Sequence, residues 1–201
     1  MNNGMLIWNR GWPKGKDVKR VPLYLLVFFI CGCVRIPEGV VAVKGFDVQR
    51  YLGTWYEIAR LDHSFERGLI TVSATYTLNA DGSLRVVNRG FDPKKNRWKA
   101  AEGRARFVSD PDIGRLKVSF FGPFYGGYNI LELDRQDYSY ALVCGNSRSY
   151  LWILARHPEL SETVKDSLIQ KAKTLGFDTD ALIFVRQENT SDMPVSGTDK
   201  Q

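Results

Sequence analysis

Phe46-Asp47-Val48-Gln49-Arg50-Tyr51-Leu52-Gly53-Thr54-Trp55-Tyr56-Glu57-Ile58-Ala59-Arg60 is the stretch from which the rest of the chain can be read. It passes through Gly53 into residues 54–60, a run of β-branched and aromatic side chains of the kind that fills strands. The theme recurs in runs 71–78, 84–91, 102–108, 116–120, 128–134, 138–144 and 150–156. Turn clusters separate them, such as Asn79-Ala80-Asp81-Gly82, Asp110-Pro111-Asp112-Ile113-Gly114 and the segment from Gly122 to Gly127. Only the first connection, 61–70, is long. Eight strands with short links predict an up-and-down antiparallel meander, and closing it into a barrel removes its exposed edges.

One helix follows. Ser161 is a good N-cap, Glu162 suits the first turn, and Gly176 is placed to stop the helix. Val164, Leu168, Ala172 and Leu175 recur at helical spacing and form a stripe that should pack on the barrel wall. Residues 182–185 read as a short last strand, and the polar end from Gln187 as a flexible tail. The fold class is therefore all-β with one C-terminal helix, an eight-stranded up-and-down antiparallel barrel.

The formal charge of +6 divides unevenly. Residues 1–32 hold Arg10, Lys14, Lys16, Lys19 and Arg20 against Asp17, so the remainder carries only a small excess and shows no nucleic-acid footprint. After Lys19-Arg20 comes an apolar run, 21–30, then Cys31-Gly32-Cys33. Ten residues of helix span about 15 Å, half of a roughly 30 Å hydrocarbon core, which suits a secretory signal better than a membrane span. Ile30-Cys31-Gly32-Cys33 resembles the lipobox of bacterial lipoprotein precursors. Bulky Ile30 makes Cys31 the poorer acceptor, so Cys33 is the expected lipidation site. Val34 stands where an Asp would retain such a lipoprotein in the inner membrane, which implies outer-membrane sorting, on the periplasmic face. The expected division is 1–32 signal, 33–45 lipidated linker, 46–187 barrel domain and 188–201 tail, with Met1 or Met5 as the start.

The opening stretch, centred on Gly53-x-Trp55, resembles the first motif of the lipocalins. Leu133-Asp134-x-x-x-Tyr138 resembles the second, and residues 151–156, ending in Arg156, the third. Order, spacing and strand context agree over roughly residues 45–187. Residues 117–129 look characteristic of the bacterial, apolipoprotein D-like group of outer-membrane lipoproteins. That resemblance implies binding of a fatty acid or lysophospholipid, a role in envelope maintenance under stress, and a homodimer. It also implies structural roles: Gly53 for a tight bend, Trp55 as a plug for the closed end, and Arg156 across its ring. Asp134 belongs to the hairpin motif.

An eight-stranded barrel has room for one small ligand or is filled by side chains. Period-two alternation from an inward Trp55 places Glu57 and Ala59 inside and Arg60 outside. On the other strands the same logic expects Val86, Asn88, Gly103, Ala105, Phe107, Leu116, Val118 and Phe120 inward, and the lipocalin resemblance implies that Asn129, Leu131, Tyr76 and Trp152 face inward too. Of these, Glu57, Ala59, Tyr76, Asn88, Ala105, Phe107, Val118, Asn129, Leu131 and Trp152 are the candidate ligand contacts. The wall is apolar, Gly103, Ala59 and Ala105 leave space, and Glu57, Asn88 and Asn129 add polar groups, as in a pocket for an amphiphile. A filled barrel in which those polar groups satisfy one another is the competing reading.

No catalytic motif appears. His63 and His157 lie in or beside connections, without zinc spacing, and His63 reads as an exposed loop histidine. Cys144 ends the seventh run as a buried thiol, unlike the early-strand cysteine of the prostaglandin D synthase type of lipocalin. No cofactor, metal or nucleic-acid partner is expected, and a heme carrier lacks a well-placed axial histidine. Phe121, Phe124 and Tyr125 read as a rim or self-association patch.

Overall fold

Gly53 takes φ 93° and turns the chain from a short helix, α1 (Val48–Tyr51), into strand β1 (Gly53–Arg60) of the computed structural model, which describes residues 34–188. Asp47 caps α1 by accepting from Gln49 N at 2.9 Å. The strands then follow as β2 (Ile70–Leu78), β3 (Leu84–Asp92), β4 (Arg97–Phe107), β5 (Arg115–Phe121), β6 (Phe124–Leu133), β7 (Tyr140–Cys144) and β8 (Leu151–Ala155). Each pairs antiparallel with the next. β1 closes the ring, pairing Gly53–Tyr56 with β2 and Tyr56–Arg60 with β8. The expected eight-stranded barrel is what forms.

Two strands start four or more residues earlier than the side-chain pattern predicts. β4 begins at Arg97 because Arg97–Ala101 continue the ladder opposite Asp92–Asn88, beyond the apolar part of the strand. β6 begins at Phe124, since the glycine-rich segment pairs with β5 up to a Phe121–Phe124 pair. Backbone pairing, not apolar alternation, sets these ends.

The Ser161 hydroxyl accepts from Val164 N and starts α2 (Glu162–Thr174), and Gly176 at φ 80° ends it. Leu168 and Ala172 are buried on the outer wall against Ile58, Ala59, Leu131, Leu142 and Ile153. β9 (Ile183–Phe184) pairs with Ala59 and Arg60 at the upper end of β1, where β1 has parted from β2. The chain then bridges that seam. Thr71 N donates to Arg186 O at 2.8 Å, and Gln187 Nε2 donates to both Glu57 O and Val72 O at 2.7 and 3.1 Å.

Up-and-down connectivity gives the barrel two unlike ends. Loops 61–69, 93–96, 122–123 and 145–150 surround the open end. The other end is closed by α1, Phe46, Tyr51 and Trp55, with Tyr51 stacked on Trp55 at 4.5 Å and Trp55 Nε1 donating to Tyr51 O. Arg156 lies over the Trp55 ring at 4.0 Å and donates to the carbonyls of Thr54, Arg50 and Tyr138. Asp134 accepts from Gln136 N and from the Ser139 N–H and hydroxyl, fixing the β6–β7 turn. The lead-in descends along the outside of β6, with Val43 N donating to Ile130 O. The expected signal segment, Cys33 and the residues beyond Glu188 lie outside the described residues.

Candidate ligand cavity

The interior divides into a small chamber and a wide mouth. A chamber of about 90 Å³ sits above the closed end and a mouth of about 670 Å³ above it; Glu66, Asn88, Val118, Phe120 and Trp152 belong to the walls of both. At roughly 30 Å³ of liquid per water, the chamber holds about three waters. The mouth falls in the roughly 300–1,000 Å³ range of small-molecule sites. The barrel is filled low and hollow high.

Of the ten residues expected to touch a ligand, six line this space: Glu57, Tyr76, Asn88, Ala105, Val118 and Trp152. Phe107 points inward but lies below the cavity, its ring 6.2 Å from Phe46. Three others face outward. Ala59 and Leu131 belong to the cluster under α2. A bulge between Glu57 and Ala59 sets two residues of β1 against one of β8, so Ala59 turns out and Arg60 turns in. On β6, Tyr128 and Ile130 are the inward residues, which leaves Asn129 outside; its amide donates to the carbonyls of Cys144 and Gly145. Leu131 follows inward Ile130 and so faces out by ordinary alternation, and the bulge between Ile130 and Glu132 then returns Leu133 to the interior. Gly103 does face inward but leaves no room, because the Phe120 ring lies 2.8 Å from where a Cβ would stand.

The inward turn of Arg60 builds a polar cluster that alternation hides. Arg60 is 1% exposed; its Nη1 is 2.7 Å from Glu57 Oε1 and its Nη2 donates to Glu66 O at 2.8 Å. Glu66 Oε2 accepts from Trp152 Nε1 at 3.2 Å and lies 3.0 Å from His63 Nε2. His63 is therefore buried, not an exposed loop residue, with its ring stacked on Phe65 at 3.9 Å. Burial, reinforced by the charge of Glu66, holds the Glu57 carboxyl well above its ordinary range even though Arg60 opposes this. For Glu66, burial acts upward, but the bonds from His63 and Trp152 prevail and hold it low. The arrangement is two carboxyl groups with opposed proton affinities around a guanidinium, beside an apolar cavity.

Three phenols line the chamber. Tyr128 Oη is 2.7 Å from Tyr51 Oη and accepts from Tyr76 Oη at 2.8 Å, and burial raises all three above the usual phenol range. Asn88 Oδ1 is buried with no hydrogen-bond partner among the described residues. Cys144 lies outside the cavity, its thiol pushed up to about 12 by burial, which denies it nucleophilic character at neutral pH. Among the described residues, no group of three or more His, Cys, Asp and Glu is placed to hold a metal ion.

Comparison with known proteins agrees with this architecture. The chain is 53% identical over 157 residues to "Outer membrane lipoprotein Blc" of Citrobacter freundii, covering 78% of this chain and 88% of that one. It is 49% identical to the protein of the same name from Vibrio cholerae, covering 85% of this chain and 100% of the other. Apolipoprotein D of Mus musculus is 32% identical, with 74% of this chain and 81% of that one aligned. The structure of insecticyanin from the tobacco hornworm Manduca sexta superimposes with a TM-score of 0.65 at 19% identity, over 81% of this chain and 92% of its own, which supports the fold alone. The lipocalin-like domain profile matches residues 46–187, and with these relatives it shows that the chain belongs to the lipocalin family.

Proposed function

We propose that the protein is a lipid-anchored lipoprotein of the bacterial outer membrane that binds a fatty acid or lysophospholipid in the barrel mouth and catalyses nothing. The observation that carries this reading is the cavity of about 670 Å³, which narrows onto an apolar wall at Val118 and Phe120 and has polar groups at Glu66, Asn88 and Trp152. Such a space suits an amphiphile whose chain points inward. The names of the bacterial relatives support the location, and Ile30-Cys31-Gly32-Cys33 supports Cys33 as the acylated residue. Stable anchoring requires more than one acyl chain, which the lipoprotein modification supplies. Transport or storage of lipid during envelope stress is the role proposed for this binding.

Two experiments test the reading. Protein isolated from its own envelope should release fatty acid or lysophospholipid to mass spectrometry and should take up a fluorescent fatty acid saturably. Absence of both overturns lipid binding. Cys33→Ser should release the protein from membranes, and continued attachment overturns the anchor.

A further inference from the structure

Donors and acceptors do not match in number around the inner chamber. Tyr51, Tyr76 and Tyr128 bring three hydroxyl hydrogens together, but two hydrogen bonds join them. Tyr76 Oη donates to Tyr128 Oη at 2.8 Å, and Tyr51 and Tyr128 share the other at 2.7 Å. Whichever way the second bond runs, one O–H is left without an acceptor among the described residues. Burial holds all three phenols above their usual range, so the spare group stays a donor.

An unpaired acceptor stands on the same wall. Asn88 Oδ1 is buried without a hydrogen-bond partner among the described residues. Asn88 and Val86 both line the chamber from β3, and Val86 is the register partner of Tyr76. Asn88 and Tyr76 are therefore diagonal neighbours, roughly 7–8 Å apart along the backbone. Around them the wall is apolar at Leu84, Ala105 and Leu116, while Glu57 is held by Arg60 and Trp152 donates to Glu66.

A donor and an acceptor left open in an apolar chamber are costly unless something fills both. Water fills both, and the chamber has space for it. A plain methylene chain that reached the chamber would displace that water and leave both groups unpaired. A hydroxyl accepts from the phenol and donates to Asn88, so it reproduces what the water gave.

We infer that the chamber selects amphiphiles whose acyl chain carries a hydroxyl in the half remote from the head group, held between the phenols and Asn88. The remote half is the one concerned because the chamber lies beneath the mouth. This rests on the acyl-chain binding proposed above and narrows its ligand class to hydroxylated chains.

The test is displacement of a fluorescent fatty acid by stearic acid and by 3-, 12- and 18-hydroxystearic acid. The 12- or the 18-hydroxy acid should bind at least about tenfold more tightly than stearic acid, and the 3-hydroxy acid no better than stearic acid. Asn88→Leu removes the acceptor and should cut that preference at least about threefold. Tyr51→Phe, Tyr76→Phe and Tyr128→Phe together keep the rings, leave no hydroxyl partner behind, and should cut it as far. Equal affinity for plain and hydroxylated acids overturns the inference, assigns the chamber to water and leaves lipid binding standing. A preference for the 3-hydroxy acid, or one that survives both sets of substitutions, overturns it as well. Failure of the protein to take up the probe or any of the acids sinks the lipid-binding reading, and this inference with it.

Discussion

Arg60 and Glu57 lie three residues apart on one strand, yet they meet inside the barrel with Nη1 2.7 Å from Oε1. Regular period-two alternation would put them on opposite faces. The bulge between Glu57 and Ala59 removes that opposition and turns the guanidinium inward to join Glu57 with the Glu66 backbone.

A pH dependence follows. A carboxyl held high in the folded state binds its proton more tightly folded than unfolded. Its contribution is full below the unfolded value of roughly 4.3 and is lost as pH rises through the folded one. Glu66, held low, contributes in the opposite sense, and that contribution is lost only as pH falls into the acid range. Glu57→Gln keeps the neutral shape and removes the first dependence. Urea unfolding should show wild type losing up to about 1.4 kcal/mol per pH unit relative to Glu57→Gln above about pH 5. A difference that does not change with pH would refute a proton held at Glu57.

Arg156 combines a ring contact with three carbonyls at the closed end. Lysine keeps the charge but not the planar fork. Arg156→Lys should lower stability by about 1–3 kcal/mol in chemical denaturation, the scale of lost charge-assisted hydrogen bonds, with the cavity's affinity for a fluorescent fatty acid unchanged. Full stability would show that the charge alone suffices.

Gln187 spans the seam between β1 and β2 by donating to two carbonyls that would otherwise lack a ladder partner. Gln187→Ala should reduce stability by about 1–3 kcal/mol, the penalty for stranding buried polar groups. Hydrogen exchange should show the loss first at Val72 and Ile58, on either side of the seam.

Val118 belongs to both chamber and mouth. Val118→Trp should weaken fluorescent fatty-acid binding by at least about tenfold, while overpacking costs about 1–3 kcal/mol of stability. Normal affinity in a folded variant would place the ligand elsewhere.

Much of the fold was legible because its signals are local. Turn clusters, β-branched runs, the Ser161 cap and Gly53 each dictate structure within a few residues. The cavity wall was legible where alternation is regular, as at Tyr76, Asn88, Ala105 and Val118. It failed at Ala59, Leu131 and Asn129, because bulges and the identity of the inward partner are decided by pairing with a neighbouring strand. His63 and Arg60 were misplaced for a related reason. The bulge in β1 turns Arg60 inward, and only the folded loop 61–69 brings Glu66 over His63. Gly103 shows the remaining limit: a small residue opens space only if no neighbour's side chain leans across it.

The seam sealed by Arg186 and Gln187 bears on when this protein can finish folding. β1 is made first among the strands, yet its upper half finds its partners only in β8 and in the chain after α2. Closure therefore waits for nearly the whole domain to emerge from the ribosome, and contacts so distant in sequence form slowly. The last segment to arrive is also the latch, so the barrel cannot lock before that segment is present.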